Sequence, residues 1–371
     1  MQKEPIRVAH IVGKMIGGGV EQVVMNYFTN LDHSKIQFDF IVDDDSTDIP
    51  EKEILSNGGR IFKVSGYQKI GSYQKDLMRL FSEQNYQIVH SHINTLSVLP
   101  LQVAKKAGIP IRIAHNHSTA AKGEWKKNLM KWTLRLFAKR YPTHYMAPTE
   151  YAGRWLFGDK VPLIILRNGI DPDRFVYNDE ARQKIRKALG VEDGTLLFGN
   201  VGRMVWQKNQ VFLLKIFAEA KRIQPNAKCL IIGNGPLEKE LIHLADDLFV
   251  KEDLLIVQNT ERVEDYFQAM DMFIFPSNYE GLGMVAVEAQ VSGLPVLKSD
   301  NVPDEVQMTP FIRSLSLELT PRAWAEVAQQ LLAETNGERK TYKKEIEEAG
   351  YSIQKEAEKL ENIYERLIKD L

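Results

Sequence analysis

Cysteine is almost missing from these 371 residues, with Cys229 the single one. A lone thiol excludes a disulfide framework and a cysteine-rich zinc site. Its place in the apolar run Lys228-Cys229-Leu230-Ile231-Ile232 marks an ordinary buried thiol. No apolar run approaches the roughly 18 residues needed to cross a bilayer. The opening Met1-Gln2-Lys3-Glu4-Pro5 leads only into a short strand-like stretch, which argues against a signal peptide and for a cytoplasmic protein. Net charge is nearly absent, at -1, which speaks against nucleic acid as a partner. That balance hides an asymmetry. Residues 1–170 carry 23 Lys/Arg against 15 Asp/Glu, whereas the remainder carries 25 against 34. The basic half is a candidate for meeting an anionic surface.

What is present is a globular composition, 44% hydrophobic, in a chain long enough for two domains. Short β-branched runs alternate with amphipathic helical stretches, the pattern of βα units around parallel sheets. Strands are expected at Ile6–Val12, Phe38–Val42, Arg60–Lys63, Ile88–His90, Ile111–Ala114, His144–Ala147 and Leu163–Leu166. The grammar restarts at Thr195–Val201 and continues through Lys228–Ile232, Leu254–Val257, Met272–Phe275 and Pro295–Lys298. Asn168-Gly169-Ile170-Asp171-Pro172 punctuates the chain between the halves. The expected division is 1–171, 172–351 and a final helix over 352–371 that crosses back to the first domain.

Three segments point to phosphate. Gly17-Gly18-Gly19-Val20-Glu21 follows the first strand and opens a helix. It reads as a loop near a substrate or diphosphate, a bare strand-to-helix turn or a dinucleotide loop, although the G-x-G-x-x-G spacing is absent. Arg203 leaves the carboxyl end of the second domain's first strand, and Lys208 starts the next helix. Such a fork and point charge suit a diphosphate, the alternative being a solvated basic pair. In Phe275-Pro276-Ser277-Asn278-Tyr279-Glu280-Gly281-Leu282-Gly283-Met284, a buried strand ends and a helix begins near Gly283, offering its first amides to phosphate oxygens. Glu280 in the loop and Glu288 on the helix can accept hydroxyl hydrogen bonds from sugar rings, or they are simply solvated glutamates.

Taken in order, these pieces resemble the retaining family 4 glycosyltransferases of the GT-B fold, including bacterial capsular and exopolysaccharide enzymes. The sharpest feature is Glu280 to Glu288, the family's Glu-x7-Glu pattern, supported by Gly202-Arg203 with Lys208, Pro276-Ser277 and Gly293-Leu294-Pro295-Val296. The resemblance implies an α/β protein of two Rossmann-like domains facing an interdomain cleft, the acceptor in the first and the nucleotide-sugar in the second. Arg203 and Lys208 would neutralise the diphosphate, Glu288 would hold the ribose and Glu280 the donor sugar. Backbone at Gly283 and Met284 would complete the phosphate site, and Gly18 and Gly19 would belong to the substrate-facing first loop. The base would sit near Gln258-Asn259-Thr260, where the family's usual glycine is missing.

The family also places an N-terminal-domain histidine near the donor sugar. In Ala114-His115-Asn116-His117 the expected spacing falls between the two histidines. His117 is preferred because His115 lies closer to the apolar strand. His90-Ser91-His92 is a secondary pocket candidate, and His10 and His243 are assigned to packing or hydration. No metal is expected, because the sequence offers no compact ligand set. Asp43-Asp44-Asp45 reads as a solvated strand exit.

Lys122 to Arg140 holds seven basic residues and one acidic residue around Trp125, Leu129, Trp132 and Leu136. It is either a helix resting on anionic lipid or a crossover helix turned toward the core. The expected enzyme moves a hexose or N-acetylhexosamine from a UDP-linked donor to a saccharide or polyprenyl-linked acceptor without a metal. An epimerase and a noncatalytic nucleotide-binding subunit are the alternatives. Oligomeric state is not legible.

Overall fold

A computed structural model describes residues 4–117, 133–258, 260 and 262–371. The chain divides into two compact units, Met1–Ile170 with Gly350–Leu371, and Asp171–Ala349.

The first unit is built on a parallel sheet of β1 (Ile6–Gly13), β2 (Ile36–Asp43), β3 (Arg60–Val64), β4 (Ile88–Ser91), β5 (Ile111–His115), β6 (His144–Ala147) and β7 (Leu163–Ile165). Their order is β3-β2-β1-β4-β5-β6-β7. The second unit repeats the scheme with β8 (Leu196–Val201), β9 (Ala227–Ile232), β10 (Leu254–Val257), β11 (Met272–Phe275), β12 (Val296–Ser299) and β13 (Ile312–Leu315), ordered β10-β9-β8-β11-β12-β13. Both sheets reverse direction at their first strand, β1 and β8. Open α/β sheets leave a crevice at the carboxyl ends beside such a reversal. Two Rossmann-like units are therefore present.

The strands read as continuous apolar runs because helices cover both faces. All eight residues of β2 are buried, including Asp39, which accepts from Arg7, Arg60 and the Tyr86 hydroxyl. A carboxylate at such depth requires this ring of donors. Cys229 lies buried and unbonded in β9.

The last helix, Ile353–Lys369, belongs to the first unit. Ile353, Ala357, Leu360, Tyr364 and Leu367 recur at helical spacing and enter the same core as Val24, Phe28 and Phe38. Two of its carboxylates cap foreign backbone: Glu361 accepts from the Asp32 amide at 2.5 Å and Glu356 from the Arg167 amide at 2.8 Å. The chain thus returns to its starting unit.

Candidate functional site

In the second unit, two loops at the carboxyl ends of neighbouring strands are stitched together. Asn200, fully buried in β8, donates to the Ile274 carbonyl of β11 at 2.8 Å. Beyond the strand ends, the Asn278 amide meets the Gln207 carbonyl at 2.8 Å, Asn278 Nδ2 the Trp206 carbonyl at 2.6 Å and Asn209 Nδ2 the Pro276 carbonyl at 3.0 Å. This lacing presents Lys208 Nζ to Glu280 Oε1 at 2.7 Å, with the ammonium 5.2 Å from the centre of the Phe275 ring. Arg203, in contrast, is exposed and makes no ion pair among the described residues. One cation is held in place, and the other is unengaged.

Gly283, with φ +90°, caps the helix Met284–Val291. A Cβ there would stand 2.9 Å from the Phe275 ring, so both conformation and space demand glycine. On that helix, burial pushes the Glu288 carboxyl up to about 7; Glu264 adds to the rise while Arg174 and Lys208 oppose it. It is poised between forms near neutrality, so it can present either an acceptor oxygen or an O–H.

One element of this region is missing from the sequence reading: Gly233-Asn234-Gly235, after β9. Met204 donates to the Asn234 carbonyl at 2.7 Å, and the Gly202 amide to Ile232 at 2.9 Å. Gly233 and Gly235 have φ of +138° and +158°, and a Cβ on either would strike the Gly202 or Met204 carbonyl. This backbone-on-backbone contact fixes where Arg203 leaves the sheet. The Gly-x-Gly directly after an apolar run was the available signal.

In the first unit, the glycine loop is partly self-satisfied. Glu21 Oε2 accepts from the Gly18 amide at 2.8 Å and from Ile16 at 2.9 Å, a capping-box arrangement. Those two amides are therefore taken. At Gly19 nothing stands within 4 Å of an added Cβ, so that side of the loop is open.

The same end of the first sheet gathers five histidines. His10 of β1 and His90 of β4 sit in register, His92 follows β4, and His115 and His117 end β5 and its exit. All five are buried. His117 Nε2 lies 3.0 Å from His92 Nδ1, His92 Nε2 2.9 Å from His10 Nδ1, and His90 Nε2 3.1 Å from His115 Nδ1. Tyr364, from the last helix, places its hydroxyl 2.6 Å from His90 Nδ1 and 3.4 Å from His10 Nε2. Burial drives every ring below the usual histidine range, His117 to about 3.

Three expectations are corrected here. His10 is no lone packing residue. The sequence reading found no compact ligand set, yet His10, His90 and His92, and again His92, His115 and His117, offer nitrogens within 4.8 Å of one another. The strand register supplied what spacing could not. Asp43, read as solvated, is buried and raised to about 6 by desolvation and its neighbours Asp45 and Asp44; only the latter two are exposed.

Comparison with known proteins agrees with both halves of the fold. Residues 17–174 match the Glycosyltransferase Family 4 model and residues 181–352 the model for glycosyl transferases group 1. EpsF of Bacillus subtilis (strain 168), itself assigned as a glycosyltransferase, is 32% identical over 98% of this chain and 97% of its own. The chain is a family 4 glycosyltransferase.

A UDP-Gal:alpha-D-GlcNAc-diphosphoundecaprenol alpha-1,3-galactosyltransferase of Escherichia coli is 26% identical to this glycosyltransferase, over 80% of this chain and 79% of its own. Among solved structures, Anabaena HepE in complex with UDP-glucose superposes with a TM-score of 0.79 at 15% identity, covering 97% of this chain and 100% of that one. Within the glycosyltransferase, Arg203, Lys208, Glu280, Gly283, Met284 and Glu288 gather at one end of the second sheet. Gly18, Gly19, His115 and His117 lie in the first unit. Asn259 falls outside the described residues, as do residues 122–132 of the basic aromatic stretch. In its described remainder, Leu136, Phe137, Lys139 and Arg140 are exposed. Among the described residues no helix is long and apolar enough to cross a membrane.

Proposed function

We propose that this glycosyltransferase moves a hexose or N-acetylhexosamine, with retention, from a UDP-sugar to a saccharide or polyprenyl-diphosphate-linked acceptor in surface polysaccharide assembly. The observation that carries the reading is Lys208 held against Glu280 beside the Gly283 helix start, with Glu288 five residues farther on. As the sugar leaves, negative charge grows on the terminal diphosphate oxygens. Lys208, the exposed Arg203 and the first amides of the Met284–Val291 helix supply fixed positive potential there. Glu280 then faces donor-sugar hydroxyls and Glu288 the ribose. HepE was solved with UDP-glucose, and the E. coli relative is named for UDP-Gal as donor and GlcNAc-diphosphoundecaprenol as acceptor; both favour this donor and acceptor class.

Neither glutamate is assigned as a covalent nucleophile. The acceptor attacks on the face the diphosphate is leaving, and a leaving phosphate oxygen takes its proton. Charge neutralisation is assigned to Arg203 and Lys208 and not to a metal. Exposed Leu136 and Phe137 beside Lys139 and Arg140 support contact with anionic lipid at a cytoplasmic face. Purified protein offered UDP-hexoses and UDP-N-acetylhexosamines with polyprenyl-diphosphate-sugar acceptors should give an acceptor-linked product of unchanged anomeric configuration. An inverted product, or a glycosyl adduct trapped on Glu280 or Glu288, overturns the mechanism. A changed donor sugar without acceptor points to an epimerase.

A further inference from the structure

The five histidines and Tyr364 form one unbranched chain of hydrogen bonds. Its sequence is His117, His92, His10, Tyr364, His90, His115, and every internal ring nitrogen is used once. Only the two outermost nitrogens, His117 Nδ1 and His115 Nε2, are buried with no partner among the described residues. The chain folds back on itself, so that the two end rings stack with centroids 4.0 Å apart.

Proton counting restricts this chain severely. Five neutral imidazoles and one phenol carry one mobile proton each, and each of the five links holds one. The remaining proton must sit on one end. Following the donors along the chain leaves two satisfied arrangements. In one, every histidine is protonated on Nδ1, His117 ends in an N–H and His115 in a bare nitrogen. In the other, every histidine is protonated on Nε2 and the ends exchange roles. Any mixture leaves a buried link with two donors or none, which costs the desolvation of an unpaired polar group. Adding a proton is opposed by burial at all five histidines, and at His90, His92 and His115 by the neighbouring rings as well.

We propose that this chain is a tautomeric relay, which obliges His115 and His117 to present one donor and one acceptor to a neutral hydroxyl; the pair reverses without net charge when each link proton crosses its hydrogen bond while the hydroxyl takes the proton of one end nitrogen and gives its own to the other. His10, His90, His92 and Tyr364 are positioning residues that act through the two ends. A hydroxyl both gives and takes a hydrogen bond, so a sugar suits this pair, whereas an anion, which wants two donors, does not. His117 is the outermost of the five, 8% exposed against 0–5% for the others, and is the end a ligand meets first. That the hydroxyl belongs to a sugar rests on the function proposed above; the coupling of tautomers rests on the hydrogen bonds alone.

Long-range proton–nitrogen correlation spectra of the full chain, labelled with nitrogen-15 histidine, report which nitrogen of each ring is protonated. The five rings should be neutral and share one tautomer, or one common population ratio that moves in lockstep with temperature. Tyr364→Phe removes the central link and should split them into two independent blocks, His117-His92-His10 and His90-His115. Should that variant not fold, the lockstep in the unaltered protein decides. Mixed tautomers, a charged ring at neutral pH, or temperature responses that differ from ring to ring overturn the relay. One tight equivalent of Zn²⁺ taken up by chelator-treated protein, with loss of the shared pattern, overturns it in favour of a metal site. Adding UDP-glucose should shift all five ratios together; movement confined to His115 and His117 also overturns it. The ligand-free spectra need no turnover, so an inactive protein with a shared tautomer would sink the transferase reading and leave the relay standing.

Discussion

The two units place polar residues at the same topological position and solve the burial problem in opposite ways. At the end of the second sheet the groups are charged: Lys208 against Glu280, Arg203 in solvent and Glu288 suspended near its titration point. At the end of the first sheet they are buried rings bonded in series through Tyr364, with only the two end nitrogens left for a ligand among the described residues. A site that meets a diphosphate must keep charge available, and it tolerates partial exposure to do so. A site that meets hydroxyls can be sealed, because neutral donors and acceptors lose little when fully paired.

That contrast can be broken most forcefully at Lys208. Lys208→Ala should lower kcat/KM by about 10²- to 10³-fold, the scale of one lost transition-state donor; a drop under tenfold would remove the charged site from the chemistry. Arg203→Ala comes next, at about 10- to 100-fold, the worth of a hydrogen bond to a charged group. Because Arg203 is exposed and makes no ion pair among the described residues, the variant's thermal midpoint should stay unchanged, and a clear fall in stability would show Arg203 to be structural. Gly283→Ala should destabilise the fold by about 1–3 kcal/mol in chemical denaturation, from positive φ and the Phe275 ring.

Gly19→Ala, with open space around it, should be neutral or stabilising by up to about 1 kcal/mol. Lost activity in that stable variant would show a ligand pressing on the loop's backbone. Smallest in size is the pH effect at Glu288. Its raised value favours the protonated form, so its contribution to stability is complete below the ordinary 4.5 and lost as pH rises through about 7. Glu288→Gln should therefore match wild type near about pH 5 and exceed it near about pH 8. Donor affinity, which needs the carboxylate, should rise through neutrality in wild type and stay flat in the variant. Parallel curves for both proteins would return Glu288 to the background.

Much of the fold was legible because buried parallel strands announce themselves. Runs such as Met272–Phe275 and Leu254–Val257 match their expected bounds to the residue. Strand β13, Ile-Arg-Ser-Leu, was missed because an edge strand carries polar residues and lacks the run. The helix Asp179–Ala188 was missed too; seven of its ten residues are polar or charged around Ala181, Ile185 and Ala188, with Asn178 as its cap. In the charged region, Arg203, Lys208, Glu280 and Glu288 were visible as local words, each beside a strand end. Gly233 and Gly235 were overlooked because their reason, a carbonyl of another loop, is not local.

By itself the sequence determined the two αβ units, an amphipathic last helix and the family, since hydrophobic period, glycine placement and motif order are properties of neighbouring residues. Tertiary structure alone decided that five histidines become one chain and that Tyr364, 274 positions from His90, closes it. Periodicity tells which residues leave water, whereas the partner a buried polar atom finds depends on strand register and on elements far along the chain.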